Sequence, residues 1–389
     1  MKKKIPYGKH FIDQNDIKCV SNVLRSDNLT QGSKVKEFEK KISEYVGAKY
    51  AVAVSSCSAG LHLAMLVSKV KDKDVITSPI SFVSTSNAII HSGGRPKFKD
   101  IDKDTINLSI TNLNNEIKKN KKLKAIIPVH FSGLSCEIQN LDHNLIKKKK
   151  IIIVEDAAHA LGSKYRNGKK VGSCCFSDMT VFSFHPVKLV AAGEGGVITT
   201  NNKNYYEKLL ALRTHGIVQN INVNKNKKIK KNPPWYYEMQ ELGFHYRITD
   251  IQCSLAISQL KKINLFLNKR KKIANFYDKE LLKFKYCKPF QNSIKRKYSA
   301  NHLFVLEIDF AKIKKSRSQI IQSLRKKNIF TQVHYIPIYK HPYYRRTTKN
   351  KKLKNAEFYY KKCLSIPIYY SLSKNDQEYV IKTLKNLIG

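Results

Sequence analysis

"FSFHPVKLVAAGEGG" occupies Phe182–Gly196 and sets one lysine in unusually closed surroundings. Most lysines of this chain lie in polar, repetitive runs such as "KKKK" at 147–150. Lys188 instead follows a strand-like apolar run and a proline, and leads into small residues and paired glycines. A strand ending in such a turn puts its lysine among the loops that carry chemistry in open α/β sheets. The small residues of "GEGG" (193–196) are expected to let a cofactor or substrate approach the backbone closely.

Outward from that stretch, short apolar runs alternate with helical patterns from about residue 48 to 200. "YAVAVSS" (50–56), "DVITSPI", "RPKFKDID", "KAIIPVHF", "KKIIIVEDAAH", "MTVFSFH" and "GGVITTNN" read as strands. "SAGLHLAMLVSKV" (58–70) and "SFVSTSNAIIHSG" read as helices between them. This alternation predicts an α/β fold with a mostly parallel sheet covered by helices on both faces. A long helical stretch at 250–282 then leads into "NHLFVLEID" and "IFTQVHY" as strands, with "SRSQIIQSLRKKN" and "KNDQEYVIKTLKNLI" as helices. The reading is a large domain over 1–261, with an N-terminal arm, and a smaller C-terminal α/β domain over 262–389. "INVNKNKKIKKNPPWYYEMQ" (221–240) reads as a long, proline-punctuated loop holding Trp235.

The chain has 389 residues, enough for two well-filled cores. Its 73 Lys+Arg against 29 Asp+Glu give +44, the charge of a nucleic-acid binder if the basic residues formed one stripe. They do not: clusters at 119–124, 147–150, 224–232, 269–272 and 312–317 are dispersed along the chain. Dispersal argues against a dedicated nucleic-acid function and for a surface that attracts small anions. The eight cysteines show no metal-ligand spacing, so no metal site is expected and reduced thiols are. No run is long and apolar enough to span a membrane, and no apolar segment follows the basic opening. A cytoplasmic protein is the expectation.

Four features fall at predicted strand ends. "SSCSAG" (55–60) opens a helix whose N-terminal N–H groups, with the Ser58 hydroxyl, suit an anion. "IIIVEDAAH" ends a buried run with Glu155 and Asp156, with His159 three residues on. Phe82 follows another strand, and Ser183 precedes Lys188. Singly, each has an ordinary structural reading as a cap, a core aromatic or a surface lysine. Jointly they are the parts that hold pyridoxal 5'-phosphate: an amine for its aldehyde, an acid for its ring nitrogen, an aromatic for its ring face and an anion site for its phosphate.

The chain resembles the DegT-type nucleotide-sugar aminotransferases, of the fold-type I pyridoxal phosphate transferase fold. The resemblance lies in "LTQGSKVKEFEKKISEYVGAKYAVAVSS", "TSPISFVSTSNAII", "VEDAAHALGSKY", "FSFHPVKLVAAGEGGVITT", "PPWYYEMQELGFHYRITDIQCSLAISQL" and "TQVHYIPIY". Within that family it is most similar to the branch serving pseudaminic acid biosynthesis. The resemblance implies Lys188 as the residue that holds the cofactor covalently and moves the proton, with Asp156 on the ring nitrogen. It implies His159 on the 3-hydroxyl side, Phe82 on the ring face, and Cys57, Ser58, Ala59 and Ser183 around the phosphate. Tyr7, Asp27, Asn28, Leu29, Thr30, Gln332, Val333, His334 and Tyr335 match positions lining the sugar-nucleotide site. "GFHYR" matches a loop lent across a homodimer, so His245 would reach the partner's phosphate site and Arg247 its substrate. Cys57, His159 and His245 stand where the family often has glycine or alanine, glutamine and asparagine. The implied reaction moves the amino group of L-glutamate to the C4 ketone of a UDP-linked 6-deoxy keto sugar, giving UDP-4-amino-4,6-dideoxy-N-acetyl-β-L-altrosamine. Other UDP- or dTDP-linked keto sugars are the alternative substrates. A same-fold dehydratase would carry histidine in place of Lys188.

Overall fold

The computed structural model describes residues 3–111, 113–219, 233–348 and 353–388. Seven strands form the main sheet: β1 (Tyr50–Val54), β2 (Asp74–Thr77), β3 (Arg95–Phe98), β4 (Leu123–Ile127), β5 (Ile152–Asp156), β6 (Met179–Ser183) and β7 (Gly196–Thr200). Their spatial order is β1-β7-β6-β5-β4-β2-β3. β7 runs antiparallel to both neighbours, whereas the β2–β3, β2–β4, β4–β5 and β5–β6 pairs are parallel. The mostly parallel sheet expected from the alternation is therefore present. All its strands but β3 are buried along nearly their whole length, which is why several read as continuous apolar runs.

One apolar cluster, with Phe38, Ile126, Ile153, Phe182 and Val197, and a second, with Val52, Leu63, Ile127, Val154 and Ile198, draw alternate residues of the same strands. Alternation at the end of β5 separates two adjacent acids. Glu155 is fully buried and accepts from His130 Nε2 at 2.6 Å, from Thr180 Oγ1 at 2.8 Å, and from the hydroxyls of Tyr165 and Ser177. Burial alone pushes this carboxyl up, but the bonds from His130, Ser177 and Tyr165 outweigh it and hold it below the usual range. Glu155 thus ties β5 to β6 and to the loop after β4, and Asp156 faces the other way.

A third cluster is built from the C-terminal part, with Tyr277, Leu306, Ile320, Leu364 and Leu384. Ile5 belongs to it: its backbone bridges Ile329, exchanging bonds with Asn328 O and Phe330 N at 2.9 Å. The N-terminal segment therefore packs on the C-terminal part. Here β10 (Cys287–Pro289), β11 (Phe304–Ile308) and β12 (Cys363–Ile366) form an antiparallel sheet, while β8 (Ile217–Gln219) and β9 (Tyr237–Met239) make a separate ribbon.

Two expectations need correction. "IFTQVHY" is not a strand, because its backbone is divided between single bridges, Ile329 to Ile5 and Gln332 to Ser365. The third strand of that sheet is "CLSI" at 363–366 instead. The helical stretch at 250–282 is two helices, Asp250–Lys261 and Ile263–Leu281, broken where Lys262 leaves helical geometry at φ −98°, ψ 2°. The Lys262 amine there binds Asp13 and Asp16, at 2.9 and 2.6 Å. Of the proline-punctuated loop, residues 221–232, including the basic run at 224–232, lie outside the described residues, and Tyr237–Met239 is not loop but strand β9, paired with β8.

Candidate active site

The helix Cys57–Val67 starts directly after β1, with Ser56 as its cap: Ser56 Oγ accepts from Ala59 N at 3.1 Å. The cap occupies the Ala59 amide and leaves those of Cys57 and Ser58 without a hydrogen-bond acceptor among the described residues, next to the exposed Ser58 side chain. An eleven-residue helix presenting free N–H groups is an anion cradle. Two glycines bring it onto the sheet. A Cβ on Gly60 would stand 2.8 Å from Val181, and one on Gly196 would stand 2.5 Å from Ser56 O and 2.7 Å from Cys57 N.

The glycine of "GEGG" that matters for close approach is thus Gly196, and what approaches it is the chain's own Ser56–Cys57 turn. This differs from the expected role of admitting cofactor or substrate. Gly193 serves conformation, at φ +80°. Gly196→Ala should push two backbones apart, destabilising the fold by about 1–3 kcal/mol. Urea denaturation checks this, and an unchanged midpoint would contradict the packing argument.

Asp156 ends β5 at 5% exposure. Its Oδ2 accepts from Thr85 Oγ1 at 2.6 Å and its Oδ1 from Ala158 N at 3.1 Å. Each oxygen keeps a lone pair for an N–H donor of a ligand. Thr85 carried no signal in the sequence. It lies in the first turn of the helix Val83–His91, and only the fold sets it beside Asp156.

Lys188 sits in the turn after β6, its N–H donating to His185 O at 2.8 Å. Desolvation pushes its amine down to about 8, with Arg270 adding to this and Cys57 and Asp156 opposing. Burial, with Asp156 adding to it, pushes the Cys57 thiol well above its usual range, so it stays neutral. β5 lies beside β6, and Ser183 stands opposite Gly196, which packs on the Ser56–Cys57 turn, so Lys188, Asp156 and the helix start gather at one end of the sheet.

His159 is buried, and its Nδ1 accepts from Ser132 N at 3.3 Å. That bond leaves the proton on Nε2, which stands 3.2 Å from the Tyr335 hydroxyl and donates to it. Burial, with Lys188 and His334 adding to it, pushes His159 well below its ordinary value and keeps the ring neutral. Burial likewise lowers His334 to about 3; its Nδ1 meets Ser365 Oγ at 2.9 Å, and Tyr7 packs on it with ring centres 5.3 Å apart. Phe82 is an unusually open aromatic at 59% exposure, its ring centre 6.3 Å from that of Tyr335. The ordinary reading of Phe82 as a core residue fails.

Ser183 ends β6 opposite Gly196. Gln332 exchanges backbone bonds with Ser365 at 3.1 and 2.8 Å, and Val333 packs on an apolar cluster with Phe131 and Tyr359. Asp27, Asn28, Leu29 and Thr30 are exposed, held by Leu29 O to Asp250 N at 2.9 Å and a Thr30–Thr249 bridge. His245 is exposed and stacks on His215 with ring centres 5.5 Å apart. Arg247 lines a groove of about 1180 Å³ with Lys36, Lys40 and Glu241. No hydrogen bond, ion pair or ring contact among the described residues joins Asp27–Thr30, His245 or Arg247 to the Lys188 cluster.

An amine, an acid, an open aromatic and an anion cradle, converging where strands end, fit pyridoxal phosphate. The comparisons agree. Residues 10–385 match the model of the DegT/DnrJ/EryC1/StrS aminotransferase family. The UDP-4-amino-4,6-dideoxy-N-acetyl-β-L-altrosamine transaminase of Campylobacter jejuni is 38% identical over 385 residues, covering 99% of this chain and 97% of the relative. Helicobacter pylori PseC, an aminotransferase involved in pseudaminic acid biosynthesis, superposes with a TM-score of 0.88 at 31% identity, over 99% of both chains. The pyridoxal phosphate form of a sugar aminotransferase from Streptococcus pneumoniae gives 0.87 at 28% identity, over 99% of this chain and 98% of that one. The chain has the fold of pyridoxal phosphate-dependent sugar aminotransferases and belongs to the DegT/DnrJ/EryC1/StrS family.

Proposed function

We propose that this enzyme transfers the amino group of L-glutamate to the C4 ketone of a UDP-linked 6-deoxy keto sugar, giving UDP-4-amino-4,6-dideoxy-N-acetyl-β-L-altrosamine. The observation that carries the chemistry is the convergence of Lys188, Asp156 and the open N-terminus of the helix Cys57–Val67. The sugar is inferred from the printed activity of the C. jejuni relative.

Pyridoxal phosphate, when bound, supplies an aldehyde that takes up an amino group and a ring that accepts an electron pair. Lys188 would anchor it and, as a neutral amine, take the donor's α-proton and return a proton to the carbon that receives the nitrogen. Asp156, fixed by Thr85 and Ala158, would keep the ring nitrogen protonated. Neutral His159, held between Ser132 N and the Tyr335 hydroxyl, would stand on the 3-hydroxyl side of the ring. Phe82 would cover the ring face, and the free amides of Cys57 and Ser58 would hold the phosphate, with Ala59 and Ser183 around it. Tyr7 and Gln332–Tyr335 would line the sugar side. In the second half-reaction the same groups act in reverse order on C4 of the sugar.

Asp27–Thr30, His245 and Arg247 fit this scheme as groups offered to a second copy of the chain. In the "GFHYR" segment, Phe244 and Tyr246 stack and pack inward on His62, while His245 points outward and Arg247 lines the large groove. A homodimer, checked by sedimentation, is the expected state. The free thiols suit a reducing compartment such as the cytoplasm.

The substrate is tested by incubating the holoenzyme with glutamate and a panel of UDP- and dTDP-linked keto sugars, identifying products by mass and NMR. Exclusive amination of a dTDP-sugar would overturn the assigned substrate. The lowered Lys188 makes a second expectation. Only the neutral amine attacks an aldehyde, so capture of pyridoxal phosphate by the apoprotein should speed up with pH and level off near 8, the value to which Lys188 is lowered. A rate still rising tenfold per unit above pH 9 would mean an ordinary lysine.

A further inference from the structure

Two arginines are almost fully buried among the described residues, Arg270 at 3% and Arg296 at 6% exposure. Arg296 is conventionally paired, its Nη2 gripping both oxygens of Asp278. Arg270 meets no carboxylate among the described residues. Its Nη1 donates to the carbonyls of Asn301, His302 and Ile368 at 3.4, 3.0 and 2.9 Å. Its Nε and Nη2, with three N–H bonds between them, meet no acceptor among the described residues.

Beside it lies His302, 4% exposed, whose buried Nδ1 has no hydrogen-bond partner among the described residues. The ring centre is 4.4 Å from that of His159, the residue joined to Tyr335. Arg270 and His302 therefore border the Lys188 cluster, and each shares an electrostatic influence with Lys188. A buried guanidinium without a counter-charge is unfavourable, and buried donors are ordinarily satisfied. Asp156, the acid on this side, is already engaged by Thr85 and Ala158.

Both substrates bring anions. The donor's α-carboxylate is bonded to the carbon whose proton Lys188 removes, so it must lie close to that amine. The nucleotide's diphosphate hangs from C1, with the sugar ring between it and the reacting C4. The geometry favours the carboxylate.

We propose that Arg270 and His302 together bind a carboxylate of the amino donor, Arg270 through Nε and Nη2 and His302 through a ring N–H. This rests on the aminotransferase reading above. It makes both residues substrate-positioning groups that act on one half-reaction only.

The test uses holoenzyme carrying Arg270→Gln, Arg270→Lys, His302→Phe or His302→Asn. KM is measured for glutamate and for the keto sugar separately, and binding of glutarate, an unreactive dicarboxylate, by calorimetry. Arg270→Gln and His302→Phe should each raise the glutamate KM and the glutarate Kd about 10- to 100-fold, leaving the sugar KM within about twofold. Arg270→Lys should fall short of wild type, because one ammonium cannot reproduce a forked pair of donors. His302→Asn should recover most of the loss, since an amide nitrogen can stand near the place of Nδ1. Unchanged glutarate binding, or equal shifts in both KM values, would overturn the proposal, and a shift in the sugar KM alone would assign the pair to the diphosphate instead. Should Arg270→Gln fail to fold, the two His302 variants decide. Wild-type enzyme that binds glutarate yet never aminates a sugar would count against the aminotransferase reading and leave the clamp standing.

Discussion

Lys188→Ala enzyme shows no protein-bound imine absorbance when pyridoxal phosphate is added and turns over no substrate. This is the largest effect the account expects, and it has two parts. Without the amine there is no covalent attachment and so no imine absorbance. Without the proton carrier, the chemical step should fall by roughly 10²–10⁴-fold on that ground alone. Lys188→Arg separates charge from chemistry: it keeps a cation near Asp156 but stays protonated, so it should be equally inactive. Either variant retaining transamination would remove Lys188 from its assigned place.

Asp156→Asn should be the next most damaging change. An amide cannot stabilise a protonated ring nitrogen as a carboxylate does, and loss of one pre-placed electrostatic partner costs roughly 10²–10³-fold in rate. Thr85→Val supplies the graded control. It removes the 2.6 Å bond to Asp156 Oδ2 but keeps the carboxylate. A single such bond is worth about 1 kcal/mol, so a rate loss of up to roughly tenfold is expected. Stopped-flow measurement of the glutamate half-reaction reads all three proteins on one scale. Thr85→Val equalling Asp156→Asn would mean that the threonine contributes more than orientation. Near-wild-type activity in Asp156→Asn would break the pairing with the ring nitrogen.

Much of this site could be read from the sequence because its parts are local. Lys188, Asp156 and the Ser56–Ser58 turn each sit at or just past the end of a strand whose apolar run announces itself, and an open α/β sheet gathers strand ends. Thr85, Arg270 and His302 could not be read that way. Thr85 is one of several small polar residues opening a helix, and its partner lies 71 positions along the chain. Arg270 belongs to "KRKK" and looks like every other basic cluster here; only packing of its helix against residues 301, 302 and 368 buries it. "IFTQVHY" has the composition of a strand, but pairing is a property of two segments, and its partners give it one bridge each. Tyr335 shows the same limit at the site itself. Nothing in "TQVHYIPIY" announces that its hydroxyl meets His159 at 3.2 Å.

Borohydride reduction of the holoenzyme, followed by peptide mapping, bears most directly on the central claim. In a chain with 73 Lys+Arg, non-specific labelling would scatter widely. The account predicts one phosphopyridoxyl-modified peptide, with the adduct on the Lys188 amine. A label on any other lysine, or none at all, would contradict it.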